Sequence, residues 1–373
     1  MKLDTMRTWA EISLDNLEHN YRALRACAPD SKFLGVVKAN AYGHGAVPVA
    51  KKLETLGADY LAVACLNEAL ELREAGITMP IMILGATPVE FAGTVVEHGI
   101  TQAVFTLELA KALSAAAVRR GTVARIHVKV DTGMSRLGLM CHDPAACADG
   151  VEAICALPGL EAEGIFTHFA NADGDEAYTM LQFTRFLDLL QHLEDKFGRK
   201  FAIRHCAASA AVLNYPCTHL DMVCPGIALY GHYPDPSCEG LDGPGLLPVM
   251  TLKSRVAAVQ NIPAGVPVSY GCTASFAEGG RVAVLPIGYA DGMHRLLSNA
   301  GSVYLAGARC PVMGRVCMDM TMVALEEDTC VRPGDVAEIF GANLPVEVHA
   351  ELASTVQYEL LCAVSPRVPR VYL

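Results

Sequence analysis

The sequence comprises 373 residues, of which 52% are hydrophobic and 18% charged, so it has enough apolar side chains for a large core and a smaller second domain. Its net charge of −11 argues against nucleic acid or an anionic membrane surface as the main partner. No apolar run approaches the ~18 residues of a membrane span, and the opening residues MKLDTMRTWAEISL contain no apolar signal core, which predicts a cytoplasmic protein.

The chain begins with one predicted strand and one predicted helix. WAEISL has a β pattern, and SLDNLEHNYRALRA predicts a helix capped by Ser13 or Asp15. From residue 33 to residue 230, β-prone runs alternate with segments of helical apolar spacing such as NEALELREAG and TMLQFTRFLDLLQHLEDKFG. The β-prone runs are FLGVV (33–37), YLAVA (60–64), IMILG (81–85), QAVF (102–105), RIHVKV (125–130), EAEGIF (161–166), FAIRHC (201–206) and MVCPGIALY (222–230).

Eight alternating strand–helix units predict an α/β fold, a (β/α)₈ TIM barrel. A doubly wound open sheet is the alternative, and it is disfavoured because no GxGxxG follows any of these strands. GPGLLPVMTL then marks a Gly/Pro-rich crossing, and the short β runs beyond it, such as RVAVLPI and DVAEIF, predict an all-β domain. We therefore expect a barrel domain over residues 1–243 and a C-terminal β domain over residues 244–373, with the first dozen residues able to join the β domain.

The fourteen cysteines give little functional information. None forms a CxxC pair, and none lies in a Cys/His cluster with zinc spacing. We therefore expect buried thiols in a reducing compartment, and no metal site.

Lys38 follows the first predicted barrel strand, in FLGVVKANAYGHG. A lysine at the end of a buried strand can simply extend its ammonium into water. At the mouth of a barrel, however, partial desolvation lowers the pKa of a lysine and allows it to form a Schiff base. Tyr42 and the glycines after it could contact a bound phosphate.

Other predicted strand ends supply matching chemistry. KVDTGMSRLG provides Lys129 and Arg136, FTHFA provides His168, and HCAASAA provides Ser209. PGIALYG adds backbone amides at positions 226 and 227, and hydroxyls with backbone amides can bind phosphate without a Walker motif. A Schiff-base lysine beside a phosphate site predicts pyridoxal 5′-phosphate, which stabilises a carbanion at an amino acid's α-carbon. A Schiff-base aldolase would also use the lysine but would leave the second domain unexplained.

These motifs resemble those of the alanine racemases, which are fold-type III pyridoxal-phosphate enzymes. The resemblance extends over essentially the whole chain. The similar segments are VVKANAYGHG, KVDTGMSRLG, HCAASAA, PGIALYG, VSYG, IGYADG, GRVCMDM and YELLCAVSPRVPRVY. The resemblance implies a barrel and a β domain in a head-to-tail homodimer whose active sites use residues of both subunits.

The resemblance also implies a role for individual residues. Lys38 would hold the cofactor and act as one acid–base group, and Tyr270 of VSYG would be the other, delivered from the partner subunit. Lys129 would be the lysine that family members carry as a carbamate. The residues implied to contact the phosphate are Tyr42, Ser209, Gly226, Ile227 and Tyr358, and those implied around the cofactor are His168 and Cys224. Arg136 would contact the cofactor's phenolic oxygen and the substrate side of the site. Met318 would contact the substrate carboxylate, and Tyr289 would lie at the substrate entrance.

Racemisation requires a proton to leave one face of a planar carbanion and return to the other, so two bases on opposite faces suit it. A tyrosine with an ordinary pKa near ~10 is a poor base at neutral pH. We expect Arg136 and a protonated histidine network including His168 to lower the pKa of Tyr270. The implied activity is the interconversion of L- and D-alanine, which supplies D-alanine for peptidoglycan.

Cys224, in DMVCPGIALYG, departs from the family pattern. Family members typically have an arginine at this position, facing the pyridine nitrogen and keeping it unprotonated. A thiol carries no permanent charge, so cofactor activation could differ here. Alternatively, Arg204 or another cation of a neighbouring strand could fill the role, or the change could have little effect.

Three other functions remain open at this stage. A serine or broad-specificity racemase would share the chemistry, although bulky Tyr358 over the substrate methyl position favours alanine. A fold-type III decarboxylase would share the barrel and the lysine, but it would use an acidic group at the pyridine nitrogen. A non-catalytic pyridoxal-phosphate carrier typically lacks the second domain, in which Tyr270 is predicted to lie.

Overall fold

The computed structural model describes residues 6–238 and 244–373. Contacts divide the chain into two compact units. The barrel unit comprises Leu17–Ala41 and Ala46–Leu247, and the sheet unit comprises Met1–Asn16, Tyr42–Gly45 and Pro248–Leu373. In the described part of the chain, no helix is both long enough and apolar enough to cross a membrane.

The chain begins with strand β1 (Thr8–Ile12) and helix α1 (Leu14–Cys27). Ser13 Oγ accepts a hydrogen bond from the backbone N–H of Asn16 at 3.1 Å. Ser13 rather than Asp15 therefore caps the helix, because its hydroxyl satisfies one of the N–H groups left free in the first turn.

The barrel unit contains a closed parallel barrel, as the alternating pattern predicts. Its strands are β2 (Lys32–Val36), β3 (Tyr60–Val63), β4 (Ile81–Ile83), β5 (Thr101–Val104), β6 (Ala124–Asp131), β7 (Leu139–Met140), β8 (Leu160–Phe166), β9 (Ile203–His205) and β10 (Met222–Val223). All except β7 form the barrel, which closes because β10 pairs with β2 and every neighbouring pair is parallel. Strand β7 pairs only with the end of β6.

Each of the eight predicted β-prone runs overlaps a barrel strand, but the last run was predicted too long. Only Met222–Val223 is extended, and Ile227–Tyr230 forms a 3₁₀ turn. Pro225 and Gly226 separate the two parts. Proline supplies no N–H for a strand ladder, and glycine weakens a strand, so these two residues end β10.

Right-handed helices connect the barrel strands. They are α3 (Ala46–Leu56), α4 (Leu66–Glu74), α5 (Ala92–Glu97), α6 (Leu107–Arg120), α7 (Pro144–Cys155), α8 (Glu176–Phe197) and α9 (Ser209–Asn214), and they follow a short left-handed turn, α2 (Lys38–Tyr42). Helix α8 shows how the sequence sets their ends. Asp175 accepts a hydrogen bond from Tyr178 N at 2.9 Å, and Gly198 ends the helix with φ 65°.

The sheet unit combines three sheets with two short helices. Its elements after β1 are β11 (Met250–Arg255), β12 (Ala258–Ile262), β13 (Pro267–Val268), β14 (Ala274–Ser275), β15 (Gly280–Leu285), β16 (Ser302–Leu305), β17 (Ala308–Pro311), β18 (Thr321–Leu325), β19 (Val336–Phe340), α10 (Val346–Leu352), α11 (Gln357–Ala363) and β20 (Arg370–Tyr372). The largest sheet has the strand order β17-β16-β19-β11-β1-β20. Strand β1 pairs antiparallel with β11 and parallel with β20, so both ends of the chain enter this sheet.

Candidate active site

Polar side chains gather at the carboxyl ends of the barrel strands. Lys38 follows β2, Lys129 lies near the end of β6, His168 follows β8, Ser209 begins α9 after β9, and Cys224 follows β10. The carboxyl ends of parallel barrel strands lie at the same rim, where barrel active sites are built. The structure therefore brings these five sequence-predicted residues to one mouth.

Lys129 is an unusual lysine because its side chain is almost fully enclosed. It is 6% exposed, and its ammonium lies 5.1 Å from the centroid of the Phe166 ring. Burial has the largest effect on its pKa, the charge of Arg136 adds to it, and Asp131 opposes it, so the pKa falls to about 8. A substantial fraction of Lys129 is therefore neutral amine at slightly alkaline pH.

His168 is neutral in this setting, so the expectation that it is protonated is wrong. Burial lowers its pKa most, and the positive charges of Lys129, Arg136 and Lys38 lower it further, to about 3. A cation next to other cations in a low-dielectric site is unfavourable, which is why the ring loses its proton. His168 can act here as a neutral hydrogen-bonding group.

Asp131 fixes the loop that carries Arg136. Its carboxylate accepts four backbone N–H groups at 2.9–3.0 Å, those of Gly133, Met134, Ser135 and Arg136. Burial alone would raise the pKa of Asp131, but these hydrogen bonds outweigh it and the pKa is lowered. The carboxylate thus holds Arg136 at the barrel mouth although its side chain is exposed.

A buried polar cluster fixes the segment that carries His168. Thr132 and Thr167 share a hydroxyl hydrogen bond of 2.8 Å. The Gln182 amide of α8 donates to Thr132 Oγ1 and to the His168 carbonyl, and its oxygen accepts from Ala170 N at 2.8 Å. Gln182 is fully buried, so these bonds leave its polar atoms satisfied.

Ser209 joins the segment after β9 to the segment after β10. Its buried hydroxyl accepts hydrogen bonds from the backbone N–H groups of Gly226 at 2.9 Å and Ala228 at 3.2 Å. Ile227, between them, begins the 3₁₀ turn. A hydroxyl and consecutive backbone N–H groups at one corner suit an anionic ligand such as a phosphate.

Cys224 has a histidine rather than a cation beside it. Its sulfur lies 3.2 Å from Nδ1 of His205, and burial raises the pKa of the thiol, so it is not a thiolate. Arg204, the alternative cation, instead binds Asp221 through Nε at 2.6 Å and Nη2 at 3.0 Å. Neighbouring residues of a strand point to opposite faces, so Arg204 faces away from the side chain of His205 and that alternative is wrong.

The segment after Lys38 has a strained backbone. Residues 39–42 all have φ 53°, in the left-handed region, although none is glycine. Two contacts within the barrel unit hold the turn: Glu68 Oε1 accepts from Ala39 N at 2.7 Å, and Asn40 Oδ1 accepts from Ala46 N at 2.8 Å. Strain of this kind concentrates at functional sites, which supports a special role for this segment.

In the sheet unit, Tyr42 lies beside Tyr358, with ring centroids 6.2 Å apart. Burial raises the pKa of Tyr42, and Tyr358 raises it further, so its hydroxyl stays protonated. Gly43 has φ 84°, and a Cβ there would overlap the carbonyl oxygen of Leu361. Close packing therefore explains this glycine without any ligand.

The remaining predicted residues lie on the surface of the sheet unit. Tyr270 is 73% exposed, Met318 53% and Tyr289 45%. The Tyr289 N–H donates to the Cys317 carbonyl at 3.0 Å, which places Tyr289 next to the Met318 segment. Tyr270 begins a 3₁₀ turn after Ser269, whose φ is 68°. Three large side chains of the sheet unit are thus exposed to solvent in the single chain.

The sequence reasoning missed His127, His205 and Glu163, which lie inside the barrel. His127 is two residues before Lys129 on β6, and strand side chains two apart share a face. Because Lys129 was predicted to face the site at the end of this strand, the spacing could have placed His127 on the same face of the strand. Nothing in the sequence indicates that the two histidines would meet.

Comparisons with known proteins agree with this geometry. Two family models match, one described as the alanine racemase N-terminal domain over residues 12–234 and the other as the C-terminal domain over residues 249–372. The alanine racemase of Desulforamulus reducens is 48% identical over 370 residues, which is 98% of each chain. That of Desulfovibrio desulfuricans is 46% identical over 369 residues, again 98% of each chain.

Solved structures give the same result. An alanine racemase of Clostridium difficile matches with a TM-score of 0.93 at 39% identity, covering 99% of this chain and 96% of that one. A Bacillus anthracis alanine racemase with bound L-Ala-P matches with a TM-score of 0.90 at 33% identity, covering 98% and 95%. The chain therefore belongs to the alanine racemase family, as its motifs predict, and its expected activity is that of the family.

Proposed function

We propose that this chain interconverts L- and D-alanine with pyridoxal 5′-phosphate bound at the barrel mouth, and so supplies D-alanine for peptidoglycan. The observation that carries the proposal is the meeting of Lys38, Lys129 and Ser209 at one rim of a closed barrel. An amine for covalent attachment and a hydroxyl corner for the phosphate are groups that a phosphate-bearing aldehyde requires.

The residues at this mouth fit such a cofactor. Lys38 would attach it covalently through its amine, which follows β2 at the same rim as Lys129 and Ser209. Ser209 Oγ and the N–H groups at Gly226 and Ile227 would hold the phosphate, and the Gly226 N–H, which donates to Ser209 Oγ, would share its hydrogen between the two acceptors. Two further phosphate contacts, Tyr42 and Tyr358 of the sheet unit, rest on the resemblance of their motifs alone.

The bound cofactor would stabilise negative charge at the substrate's α-carbon. Lys38 would move a proton on one face of that carbon and Tyr270 on the other. Arg136 would hold the substrate side of the site, Met318 would offer its backbone N–H to the substrate carboxylate, and Tyr289 would line the entrance. We propose a homodimer in which Tyr270 serves the partner's site, which is consistent with its 73% exposure in a single chain.

We also propose that Lys129 becomes a carbamate. Only the neutral amine reacts with carbon dioxide, and a pKa of about 8 provides that form. The amine nitrogen would bond to the carbon of carbon dioxide as one C=O π bond opens onto oxygen, and one N–H proton would leave to solvent. The product would be an anion beside Arg136, so an ion pair would replace the repulsion between two cations. The change would also raise the pKa of His168, because one of the cations that lower it would be lost. Carbon-13 NMR in labelled bicarbonate should show a carbamate signal that Lys129→Ala removes, and a wild-type protein without this signal would contradict the assignment.

The experiment that tests the function is a spectrum followed by an assay. The purified protein should show an absorbance band from lysine-bound pyridoxal phosphate, and borohydride should fix the cofactor on the peptide containing Lys38. It should racemise L-alanine faster than L-serine. Lys38→Ala should lose both the band and the activity, whereas Lys32→Ala should keep both, since Lys32 is an exposed lysine at the start of the same strand.

The outcomes are distinct. A clear preference for L-serine would replace alanine as the substrate but keep the chemistry. The absence of any borohydride-fixed cofactor on Lys38 would overturn the proposal.

A further inference from the structure

A row of polar side chains crosses the interior of the barrel unit and ends at Cys224. His205 Nδ1 lies 3.2 Å from Cys224 Sγ, and His205 Nε2 lies 2.9 Å from His127 Nδ1. His127 Nε2 makes no hydrogen bond and lies 3.6 Å from Glu163 Oε2, close enough for its carboxylate charge to act on the ring. Glu163 Oε2 accepts the hydroxyl hydrogen of Tyr60. These five side chains form the histidine row, and the proton transfers proposed above use none of them.

Packing fixes both imidazole rings of the row. His127 and His205 are buried to within 1% of completely. The His205 ring stacks on Phe166 at 4.6 Å with planes 4° apart. The His127 ring lies so close to Gly164 that a Cβ there would be 2.5 Å from two ring atoms. Neither ring can turn over without repacking, so each nitrogen keeps its partner.

The direction of the hydrogen bonds follows from the carboxylate end. Burial would raise the pKa of Glu163, but its interactions with His127, the largest effect, and with Tyr60 lower it, so Glu163 is ionised and can only accept. If His127 Nε2 carried no hydrogen, its lone pair and those of the carboxylate would repel each other. Nε2 therefore carries the hydrogen.

A neutral imidazole has one donor and one acceptor. His127 Nδ1 therefore accepts, His205 Nε2 donates to it, and His205 Nδ1 accepts. The donor left for His205 Nδ1 is the S–H of Cys224.

If the hydrogen bonds of the row ran in the opposite direction, from His127 toward Cys224, both ring nitrogens of His127 would have to carry a hydrogen. Such an ion would be fully buried with its carboxylate 3.6 Å away, longer than the ~2.7–2.9 Å of a charge-assisted hydrogen bond. A buried charge without a close partner is strongly unfavourable. Burial lowers the pKa of His205 most, and the positive charge of Lys129 lowers it further, which keeps His205 neutral.

We propose that the histidine row commits the Cys224 hydrogen to His205 and leaves the sulfur as a hydrogen-bond acceptor toward the barrel mouth. Cys224 is the member of the row at the strand end, and unlike the histidines it keeps some exposure. The next step rests on the proposed function. With pyridoxal phosphate bound at the barrel mouth, the Cys224 sulfur would face the ring nitrogen of the cofactor and favour its protonated form. Glu163 and His127 are then positioning residues that act through Cys224.

This polarity is the reverse of what an arginine would supply. A guanidinium can only donate, so it favours an unprotonated ring nitrogen, whereas a sulfur whose hydrogen is already committed can only accept. The protonation state of the cofactor's ring nitrogen is thus predicted from side chains that do not contact the cofactor. Glu163 controls that state because its negative charge sets the direction of every bond in the row.

The test measures the row directly in the holoenzyme. Nitrogen-15 NMR of histidine-labelled protein should show His127 and His205 both neutral and both with hydrogen on Nε2. The infrared S–H band that Cys224→Ser removes should lie at the low frequency of a hydrogen-bonded thiol. With ring-labelled pyridoxal phosphate, the ring nitrogen should give the shift of a protonated pyridine.

The variant Glu163→Gln removes the charge that directs the row. It should move the Cys224 S–H band to higher frequency and the ring-nitrogen shift toward the unprotonated value. Glu161→Gln is the matched control, because Glu161 lies two residues earlier on β8 and pairs with Arg125 at 3.5 Å instead. It should leave both signals unchanged.

Hydrogen on Nδ1 of His205, or a doubly protonated His127, would overturn the direction of the row. The histidines could show the predicted tautomers while the cofactor's ring nitrogen gives the signal of an unprotonated pyridine that Glu163→Gln does not change. That result would overturn the proposed effect of the histidine row on the cofactor. Failure of the proposed function is a separate result, since it would appear as the absence of borohydride-fixed cofactor on Lys38 while the tautomers could still be read.

Discussion

Replacement of Gly164 by alanine should destabilise the barrel unit through a single contact. The added Cβ would lie 2.5 Å from Cε1 and Nδ1 of the His127 ring, whereas non-bonded carbon atoms prefer ~3.5–4.0 Å. The ring must therefore move by about 1 Å, which stretches its 2.9 Å hydrogen bond to His205 beyond the usual range. Overpacking of this kind costs about 1–3 kcal/mol, and a weakened buried hydrogen bond adds ~1 kcal/mol.

The free energy of unfolding should thus fall by about 2–4 kcal/mol, measured by urea titration with circular dichroism. Gly93→Ala is the control, because Gly93 lies in helix α5 and a Cβ there meets nothing within 4 Å. Alanine at that site should be neutral or stabilise the protein by up to ~1 kcal/mol.

A double-substitution cycle shows whether His127 causes the loss. In a His127→Ala background the clash is absent, so Gly164→Ala should have little further effect on stability. An equal loss in both backgrounds, or no loss in the wild-type background, would refute the close contact on which the fixed position of His127 depends.

Three further outcomes are expected. Tyr270→Phe should slow exchange of the α-hydrogen of one alanine enantiomer far more than that of the other, and equal losses for both enantiomers would contradict a two-base mechanism. Because Tyr270 is proposed to serve the partner's site, mixing Tyr270→Phe and Lys38→Ala subunits should restore part of the activity. Wild-type enzyme should release pyruvate slowly during turnover and Cys224→Arg less; identical yields would exclude an effect of the thiol. Because burial and Arg136 lower the pKa of Lys129 from 10.5 to about 8, the unfolded chain binds more protons between those values, and without bicarbonate the stability should rise over that pH range by up to ~3 kcal/mol, a rise that Lys129→Met should abolish.

Much of the barrel could be predicted from sequence because strands such as β3 and β4 are buried on both faces. Such strands appear as short, nearly continuous apolar runs, and each of the eight β-prone runs overlaps a barrel strand. The same property concealed the end of β10. In MVCPGIALY the apolar run continues through residues 227–230, where the backbone is a 3₁₀ turn, because burial selects apolar residues in strand and turn alike.

The protonation state of His168 could not be predicted from sequence, although its place at a strand end could. Its low pKa depends on burial and on three cations that come from two other segments of the chain. Likewise, Arg204 and His205 are adjacent in sequence, and only the observed strand direction shows that one binds Asp221 outside while the other lies among the interior histidines. Electrostatics of this kind is a property of the assembled barrel.

The left-handed turn after Lys38 has little local sequence signal, since asparagine tolerates this conformation but alanine and tyrosine do not favour it. A left-handed residue costs roughly 1–2 kcal/mol, so four in succession require support from outside the turn. Glu68 gives that support with both carboxylate oxygens, one on Ala39 N and the other on Ala64 N, each at 2.7 Å. Ala64 follows β3, the neighbour of β2 in the barrel. The carboxylate therefore ties the residue after Lys38 to the adjacent strand end, and the direction in which Lys38 leaves β2 is set by the barrel and not by the preference of its own segment.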